Sequence, residues 1–369
     1  MSETPDIGAR IAAAIRQAGG RLEGAPQLSG LELNPEGETA TYFADIAWPY
    51  GRRREVIGID AGDSLWIYPR DPELPGLRRL AYAEAAAEFC NRHRIFPEPV
   101  TAAGLELELV TYRPHRRAVL RVNGVFAKVY RPEALAQMAE RQRVLAEAGV
   151  PVARILATDP AGVIVSAALP GEPLSAHLLD AAPPVSAADL LALLDALPRE
   201  LTWMPRRRSW AEALGYYAAE LAKVLPEASE LLNRLCGQLE PRLRPGGDDP
   251  THGDFHASQI LVADGRVSGL LDPDTAGPGQ RVDDLATFLA HLLTTDTQSA
   301  AEQDRLNGVV ADWVPHFDRR VDPVQLRLRA AAVVVSLAGG PYAAQLPGWQ
   351  SASWRMLRAA EALAEQVSV

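Results

Sequence analysis

Lysine is nearly missing from this chain. Of its 37 basic residues only Lys128 and Lys223 are lysines, and the rest are arginine. Together with abundant Ala, Gly and Pro, this fits a GC-rich coding bias and makes a lysine inside a strand pattern conspicuous. Cysteine is also scarce. Cys90 and Cys236 each sit in a helical pattern as small apolar residues, which excludes a disulfide framework. An excess of positive charge is absent as well. The net charge of −10 lacks the basic face that a nucleic-acid partner requires, and reads as an ordinary solubility charge. Long apolar runs are missing: Ala330 to Gly340 falls short of a membrane span and suits a buried helix. Met1 to Asp6 has neither a basic nor an apolar leader segment. The expectation is a cytoplasmic protein with no membrane and no nucleic-acid partner.

A chain of 369 residues can bury more than one core. Residues 1–97 read as a small α+β cap. Helical periodicity over Ile7 to Gln17 ends at Gly19-Gly20. Strand-like runs follow at Ala40 to Trp48, Glu55 to Asp60 and Ser64 to Tyr68. Turn signals at Pro49-Tyr50-Gly51 and Ala61-Gly62-Asp63 separate them. A Pro-rich link then leads to a helix expected over Leu77 to Arg94.

Residues 98–170 read as a second unit. Three strands are expected at Leu105 to Tyr112, Ala118 to Val122 and Val125 to Tyr130, with Asn123-Gly124 as a tight hairpin turn. Pro132 opens a helix over Glu133 to Ala148, and strands return at Arg154 to Ala157 and Gly162 to Ser166. From 171 to 369 the pattern is mostly helical. The fold class is α+β: a small antiparallel-sheet lobe, a large helical lobe, and the extra cap.

The chemistry concentrates in residues 251–274. His252-Gly253-Asp254 places a carboxylate in a short turn, where it suits the work of orienting a hydroxyl and taking its proton. His-Gly-Asp alone is a weak signal, since Asp and Gly are common in surface turns. Its neighbourhood is stronger. Gln259 offers a hard carbonyl oxygen suited to Mg²⁺ and precedes the apolar strand Ile260-Leu261-Val262. Asp264-Gly265 turns the chain, and Val267 to Leu271 return it to Asp272, beside Gln259 and Asp254. Asp274 has three readings: a second metal ligand, a substrate contact, or a cap for the turn at Ala276 to Gly279. Asp283 and Asp284 open a helix and read first as N-cap or dipole partners, with Asp284 a further candidate for steadying the catalytic turn.

Lys128 lies on a strand among apolar neighbours, where an ammonium can neutralise nucleotide phosphates. Such a lysine usually takes a carboxylate from the following helix. Glu140 is the first choice, with Glu133 and Glu147 as alternatives, and an i,i+3 pair of Glu140 with Arg143 competes with that role. Trp203, Trp210 and Tyr216-Tyr217 are candidates for sugar stacking as well as core positions. Arg206-Arg207-Arg208 suits either an anionic acceptor or an exposed loop.

These residues carry a family resemblance. His252-Gly253-Asp254, His256, Gln259, Asp272 and Asp284-Leu285-Ala286 resemble the aminoglycoside phosphotransferase and choline kinase superfamily, with its protein-kinase-like fold. Lys128 to Pro132 and Leu169 to Leu174 look like its small lobe and linker, and the likeness covers roughly residues 103–369. It implies an ATP- and Mg-dependent transfer of the γ-phosphoryl group to a hydroxyl of a small molecule such as an aminoglycoside, a sugar or a related natural product. Asp254 would be the base, Gln259 and Asp272 would hold magnesium, Lys128 would bind phosphates, and backbone groups at Ser166 to Ala168 would hold adenine.

Three departures stand out. Most members have asparagine where this chain has Gln259; maltokinase-like and glucosamine-kinase-like members share the glutamine. The loop Arg113-Pro114-His115-Arg116-Arg117 has no glycine for backbone cradling of phosphate, which makes an arginine such as Arg116 the candidate nucleotide contact. The cap is absent from the minimal fold, although maltokinase-like proteins also carry one. The rival expectations are a kinase acting on a peptide or natural-product hydroxyl in a biosynthetic cluster, and a nucleotide-binding pseudokinase scaffold.

Overall fold

The computed structural model describes residues 7–34, 37–49, 51–60 and 64–367. The turn signals at Tyr50 and Ala61-Gly62-Asp63, and the N-terminal Met1 to Asp6, lie outside the described residues. The chain divides into two compact units. One runs to Ala136 and takes in Ile155–Ala167 and Pro341–Trp349; the other comprises Gln137–Arg154, Ala168–Gly340 and the chain from Gln350.

The first unit begins with α1 (Ile7–Gln17) and a sheet of β1 (Arg21–Leu22), β2 (Gln27–Asn34), β3 (Gly37–Trp48), β4 (Gly51–Ile59) and β5 (Leu65–Ile67). The order is β1-β3-β4-β5, with β2 also pairing β3. Ala44 and Ile46 on β3, and Ile57 and Ile59 on β4, lie two apart on their strands. They therefore share one face, and that face buries Ile11 and Ile15 of α1. The sequence pattern anticipates three of these strands but not β1 or β2. In Gln27-Leu28-Ser29-Gly30 a glycine and polar residues blur the period of two, and the pairing with β3 supplies what the local signal lacks.

The helix expected over Leu77 to Arg94 is two pieces, a 3₁₀ segment Pro75–Arg79 and α2 (Ala83–Arg92). Leu77 and Leu80 from the first stretch, and Ala86, Phe89 and Cys90 from the second, go into one core. That core also takes Ala118, Leu120, Val122, Ala127, Val129, Val163 and Val165 from a second sheet. This sheet is β6 (Leu107–Arg113), β7 (Arg117–Val122), β8 (Val125–Tyr130), β9 (Ile155–Asp159) and β10 (Val163–Ser166). It is antiparallel throughout, in the order β6-β7-β8-β10-β9. Positive φ at both Asn123 and Gly124 makes the expected hairpin turn between β7 and β8. Gly162 has φ +90, and a Cβ there would stand 2.1 Å from the Tyr130 carbonyl oxygen, so only glycine fits.

In the second unit, α3 (Leu135–Glu147) enters at Gln137, and β11 (Glu172–Pro173) pairs with the hairpin β13 (Ile260–Ala263) and β14 (Arg266–Leu270). β12 (Asp249–Thr251) pairs with β15 (Gly277–Gly279). The rest is helical: α4 (Ala187–Asp195), α5 (Leu214–Val224), α6 (Ser229–Leu239), α7 (Arg281–Leu293), α8 (Ala300–Asp318) and α9 (Pro323–Leu337); the single-turn α10 (Gly340–Ala343) falls almost wholly in the first unit, and α11 (Trp349–Glu365) returns to the second from Gln350. Ser186 and Asp189 form a reciprocal capping box at α4, and Asp322 caps α9 through Val324 N and Gln325 N. The apolar run from Ala330 lies in α9, buried from Leu328 through Ser336. α7 packs against α9 and is itself buried from Val282 to Ala290. Its buried stretch takes in Asp283, Asp284 and Thr287 as well as apolar residues, so this core helix carries the supports of the site. The expected antiparallel-sheet lobe and helical lobe are both present. No described helix is long and apolar enough to cross a membrane.

Candidate active site

Asp254 is half-buried in the turn between β12 and a 3₁₀ segment, Ala257–Gln259. Gly253 permits the turn: its φ is +80, and a Cβ would meet the Thr275 carbonyl oxygen at 2.8 Å. Asp284 fixes it. Its Oδ2 accepts from His252 N at 2.9 Å and its Oδ1 from Gly253 N at 2.8 Å. His252 Nε2 lies 2.9 Å from the Leu271 carbonyl oxygen, so that nitrogen carries the proton, and Thr275 Oγ1 donates to the His252 carbonyl at 2.9 Å. The N-cap of α7 is Gln280, with no side-chain cap bond. The two acidic residues therefore serve the fold rather than the cap: Asp284 steadies the Asp254 turn, and Asp283 takes buried Arg329.

Trp210 Nε1 donates to Asp254 Oδ1 at 3.2 Å, and its ring stacks on Tyr217 with centroids 5.3 Å apart. Of the proposed stacking residues, Trp210 thus touches the carboxylate itself, whereas Trp203 is 77% exposed. Arg206 and Arg208 are engaged with Glu212, by an ion pair and a bond to its carbonyl oxygen respectively.

Gln259 closes the 3₁₀ segment, and its carbonyl oxygen accepts from Leu271 N at 2.7 Å. The register Ile260↔Leu270 continues that pairing, and Asp264 and Gly265, both at positive φ, make the expected turn. Asp272 follows in the left-handed region with φ 54, and Asp274 lies in the next 3₁₀ segment, Pro273–Thr275. Gln259 and the residue before Asp272 are thus neighbours across the sheet. The side chains of Gln259 and Asp272 are both half-buried, and an amide and a carboxylate are hard oxygen donors. Arg141 of α3 is buried, and its Nε donates to the Ala276 carbonyl oxygen at 2.6 Å, tying down the segment after Asp272. The sequence offers no signal for Arg141, since a buried arginine is indistinguishable from a solvated one by type.

Asp284 lies in full burial, which raises its pKa to about 6 against the pull of His252, its two backbone donors and Arg281. A carboxyl raised in the fold binds its proton more tightly there than in the unfolded chain, where it titrates near 4. Its contribution to stability is therefore fully present below about pH 4 and lost as pH rises through about 6. Relative to Asp284→Asn, wild-type stability should fall by about 3 kcal/mol from about pH 4 to about pH 7 in urea unfolding. Parallel profiles for the two proteins would refute the assignment. His256 and His291 stack with centroids 4.0 Å apart. Burial depresses both, His291 to about 3 with a further push from His256, while Asp254 pulls His256 the other way.

In the first unit, Lys128 is half-buried on β8 between Ala127 and Val129, in register with Val119 and Ile164. Glu140 is exposed on α3 and forms a two-pronged pair with Arg143, at 2.8 Å from Nε and 2.6 Å from Nη2. This is the i,i+3 arrangement that the sequence left open as its competing role. Exposed Lys223 pairs with Glu220, which is itself buried. Ser166 ends β10, and Ala168 follows where the chain enters the second unit.

The glycine-free loop after β6 is held from the cap. Buried Asp71 accepts from Tyr112 Oη, His115 N and Glu73 N at 2.8, 2.8 and 2.9 Å, and meets His115 Nδ1 at 2.8 Å. Trp66 stacks on the His115 ring and donates to Tyr112 Oη. Arg131 Nε donates to the His115 carbonyl at 2.6 Å. His115 sits at φ 58, so this clamp holds a non-glycine residue in the conformation a glycine would otherwise supply. Arg116, next to it, is exposed.

A sequence profile described as "Phosphotransferase enzyme family" matches residues 108–319, more than half of the chain. Similar solved structures include a macrolide 2'-phosphotransferase from Brachybacterium faecium, at 21% identity over 74% of this chain and 98% of that one, with a TM-score of 0.42. They include an ethanolamine kinase from Plasmodium vivax at 10% identity, covering 75% and 88%, with a TM-score of 0.45. A choline/ethanolamine kinase family protein from Mesorhizobium loti is similar at 17% identity, covering 75% and 93%, with a TM-score of 0.47. No curated protein matches the chain.

Proposed function

Because the chain belongs to the phosphotransferase enzyme family, we propose that it moves the γ-phosphoryl group of ATP to a hydroxyl of a small molecule such as an aminoglycoside, a sugar or a related natural product. The observation that carries this reading is the Asp284 carboxylate gripping both His252 N and Gly253 N, which holds the Asp254 turn rigid. Phosphoryl transfer needs little covalent help, so a prepositioned carboxylate that orients the acceptor and takes its proton is the contribution expected of the protein. Trp210 holds one oxygen of Asp254 and leaves the other for the acceptor.

Gln259 and Asp272, with Asp274 as a further candidate, are the oxygen donors that would hold magnesium, which would supply charge neutralisation on the phosphates. Lys128 is assigned to the phosphates, with Glu140 as its candidate carboxylate, Arg116 as a second nucleotide contact, and backbone groups at Ser166 and Ala168 as the adenine contacts. The resemblance and the residue types support these roles. The cytoplasm is the proposed location.

Two measurements test the proposal. Mg·ATP should raise the melting temperature of the wild type, and Lys128→Ala should abolish most of that shift. A panel of aminoglycosides, sugars, amino alcohols and peptides, followed by ATP consumption, should give turnover with at least one small hydroxyl acceptor. Turnover confined to peptides would refute the small-molecule assignment. ATP binding without transfer to any acceptor would refute catalysis.

A further inference from the structure

Asp254, His256 and His291 each offer one ligand atom, and these three atoms lie within 4.8 Å of one another. They come from separate places in the chain: Asp254 from the turn, His256 from the residue just before the 3₁₀ segment, and His291 from the last turn of helix α7. We propose that this trio is a site for a first-row transition ion, with Zn²⁺ as its best-fitting occupant, and that occupation switches the enzyme off.

The donor set selects the ion. Two imidazoles and one carboxylate suit zinc, copper or nickel, whereas magnesium takes oxygen donors and keeps its waters. The site is therefore chemically distinct from Gln259 and Asp272, which offer oxygens only. The geometry is close to closure. Ligands at about 2.0–2.1 Å from a tetrahedral ion stand roughly 3.4 Å apart. His256 Nε2 is already 3.8 Å from Asp254 Oδ2. The two rings lie 4.0 Å apart and 15° from parallel, so their lone pairs lie in two nearly parallel planes and binding one ion turns the rings out of the stack.

Trp210 holds the other carboxylate oxygen, Oδ1, and so orients Oδ2 toward the histidines. An oriented ligand is what an outer hydrogen bond provides at protein metal sites. Three protein ligands leave a fourth position open to water. An Asp254 oxygen donated to zinc is no longer available to take the proton of an acceptor hydroxyl. The binding claim stands on the trio alone; the inhibition claim rests on Asp254 being the base.

Zinc binding to the full-length protein is measured by calorimetry in magnesium-containing buffer, and Co²⁺ replaces zinc for visible absorption. The expected result is a single saturable step, with the intense d–d bands of a low-coordinate cobalt ion. Loss of an outer partner alone costs about 10–100-fold in affinity, so His291→Phe, which keeps an aromatic ring on His256, should weaken zinc by at least about 100-fold. Gln259→Ala should leave zinc binding unchanged. A circular dichroism spectrum verifies the fold of each variant, and His256→Asn replaces His291→Phe if that variant does not fold. In turnover assays zinc should inhibit the wild type and spare His291→Phe, whose activity without zinc is retained. Absence of the saturable step, binding undiminished in His291→Phe, or binding lost in Gln259→Ala overturns the site. Zinc binding without inhibition overturns the switch and, with Asp254→Asn still active, the role of Asp254 as base.

Discussion

Replacing Asp254 with asparagine is expected to lower turnover by about 10²–10⁴-fold while leaving Mg·ATP binding in place. The reason lies in how the side chain is held. Asp284 grips the backbone of the turn rather than the Asp254 carboxylate, and Trp210 donates to Oδ1 only. Asparagine can present its carbonyl oxygen to the indole and keep the same shape. What disappears is basicity, because an amide does not take the hydroxyl proton. The measurement pairs steady-state kinetics with the melting shift produced by Mg·ATP. Loss of the nucleotide shift along with turnover would mean that the substitution acts on binding or folding. Full turnover would remove Asp254 from the chemistry. Trp210→Phe separates orientation from basicity: it removes the donor but retains an aromatic ring against Tyr217, and should lower turnover by less than Asp254→Asn.

Arg329→Met is expected to cost about 3–5 kcal/mol of stability. Arg329 is 0% exposed, and its guanidinium bonds Asp283 and the Arg244 carbonyl oxygen. Asp283 is itself buried on α7, where burial raises its pKa against the pull of Arg329. Removing the arginine strands that carboxylate in a low-dielectric core, and the penalty is the loss of compensation rather than of a favourable pair. The double variant Asp283→Leu with Arg329→Met should therefore recover most of the loss, since an apolar pair of similar volume is often neutral or better. Urea unfolding of the wild type, both single variants and the double variant reads this out. Additive losses in the double variant would show that the pair is not the source.

Much of the site is legible along the chain because its parts are local. His252 to Asp254, Gln259, the turn at Asp264-Gly265 and Asp272 lie within one stretch joined by a hairpin. A two-residue turn at positive φ, with one register shift between Leu261 and Val262, brings Gln259 and Leu271 together. The β7–β8 hairpin and the buried helix around Ala330 are legible for the same reason. The helix expected over Leu77 to Arg94 is two segments, and Leu77, Leu80 and Phe89 enter one core with sheet residues far along the chain, a pairing that local periodicity does not carry. Glu140 illustrates a different limit. Its spacing suits both a phosphate lysine and Arg143, and residue type alone does not choose between them.

The sequence by itself determined the chemistry available: one carboxylate turn, hard oxygen donors at hairpin spacing, and a lone strand lysine among arginines. Only the tertiary structure decided how that chemistry is held. The grip of Asp284 on the Asp254 turn, the indole of Trp210 on Asp254, Arg141 on Ala276, Asp71 on the His115 loop and His291 against His256 all join residues far apart in the chain. Such pairings are set by which faces of which elements pack together and by the need to satisfy every buried polar group. Neither leaves a periodic trace in the sequence.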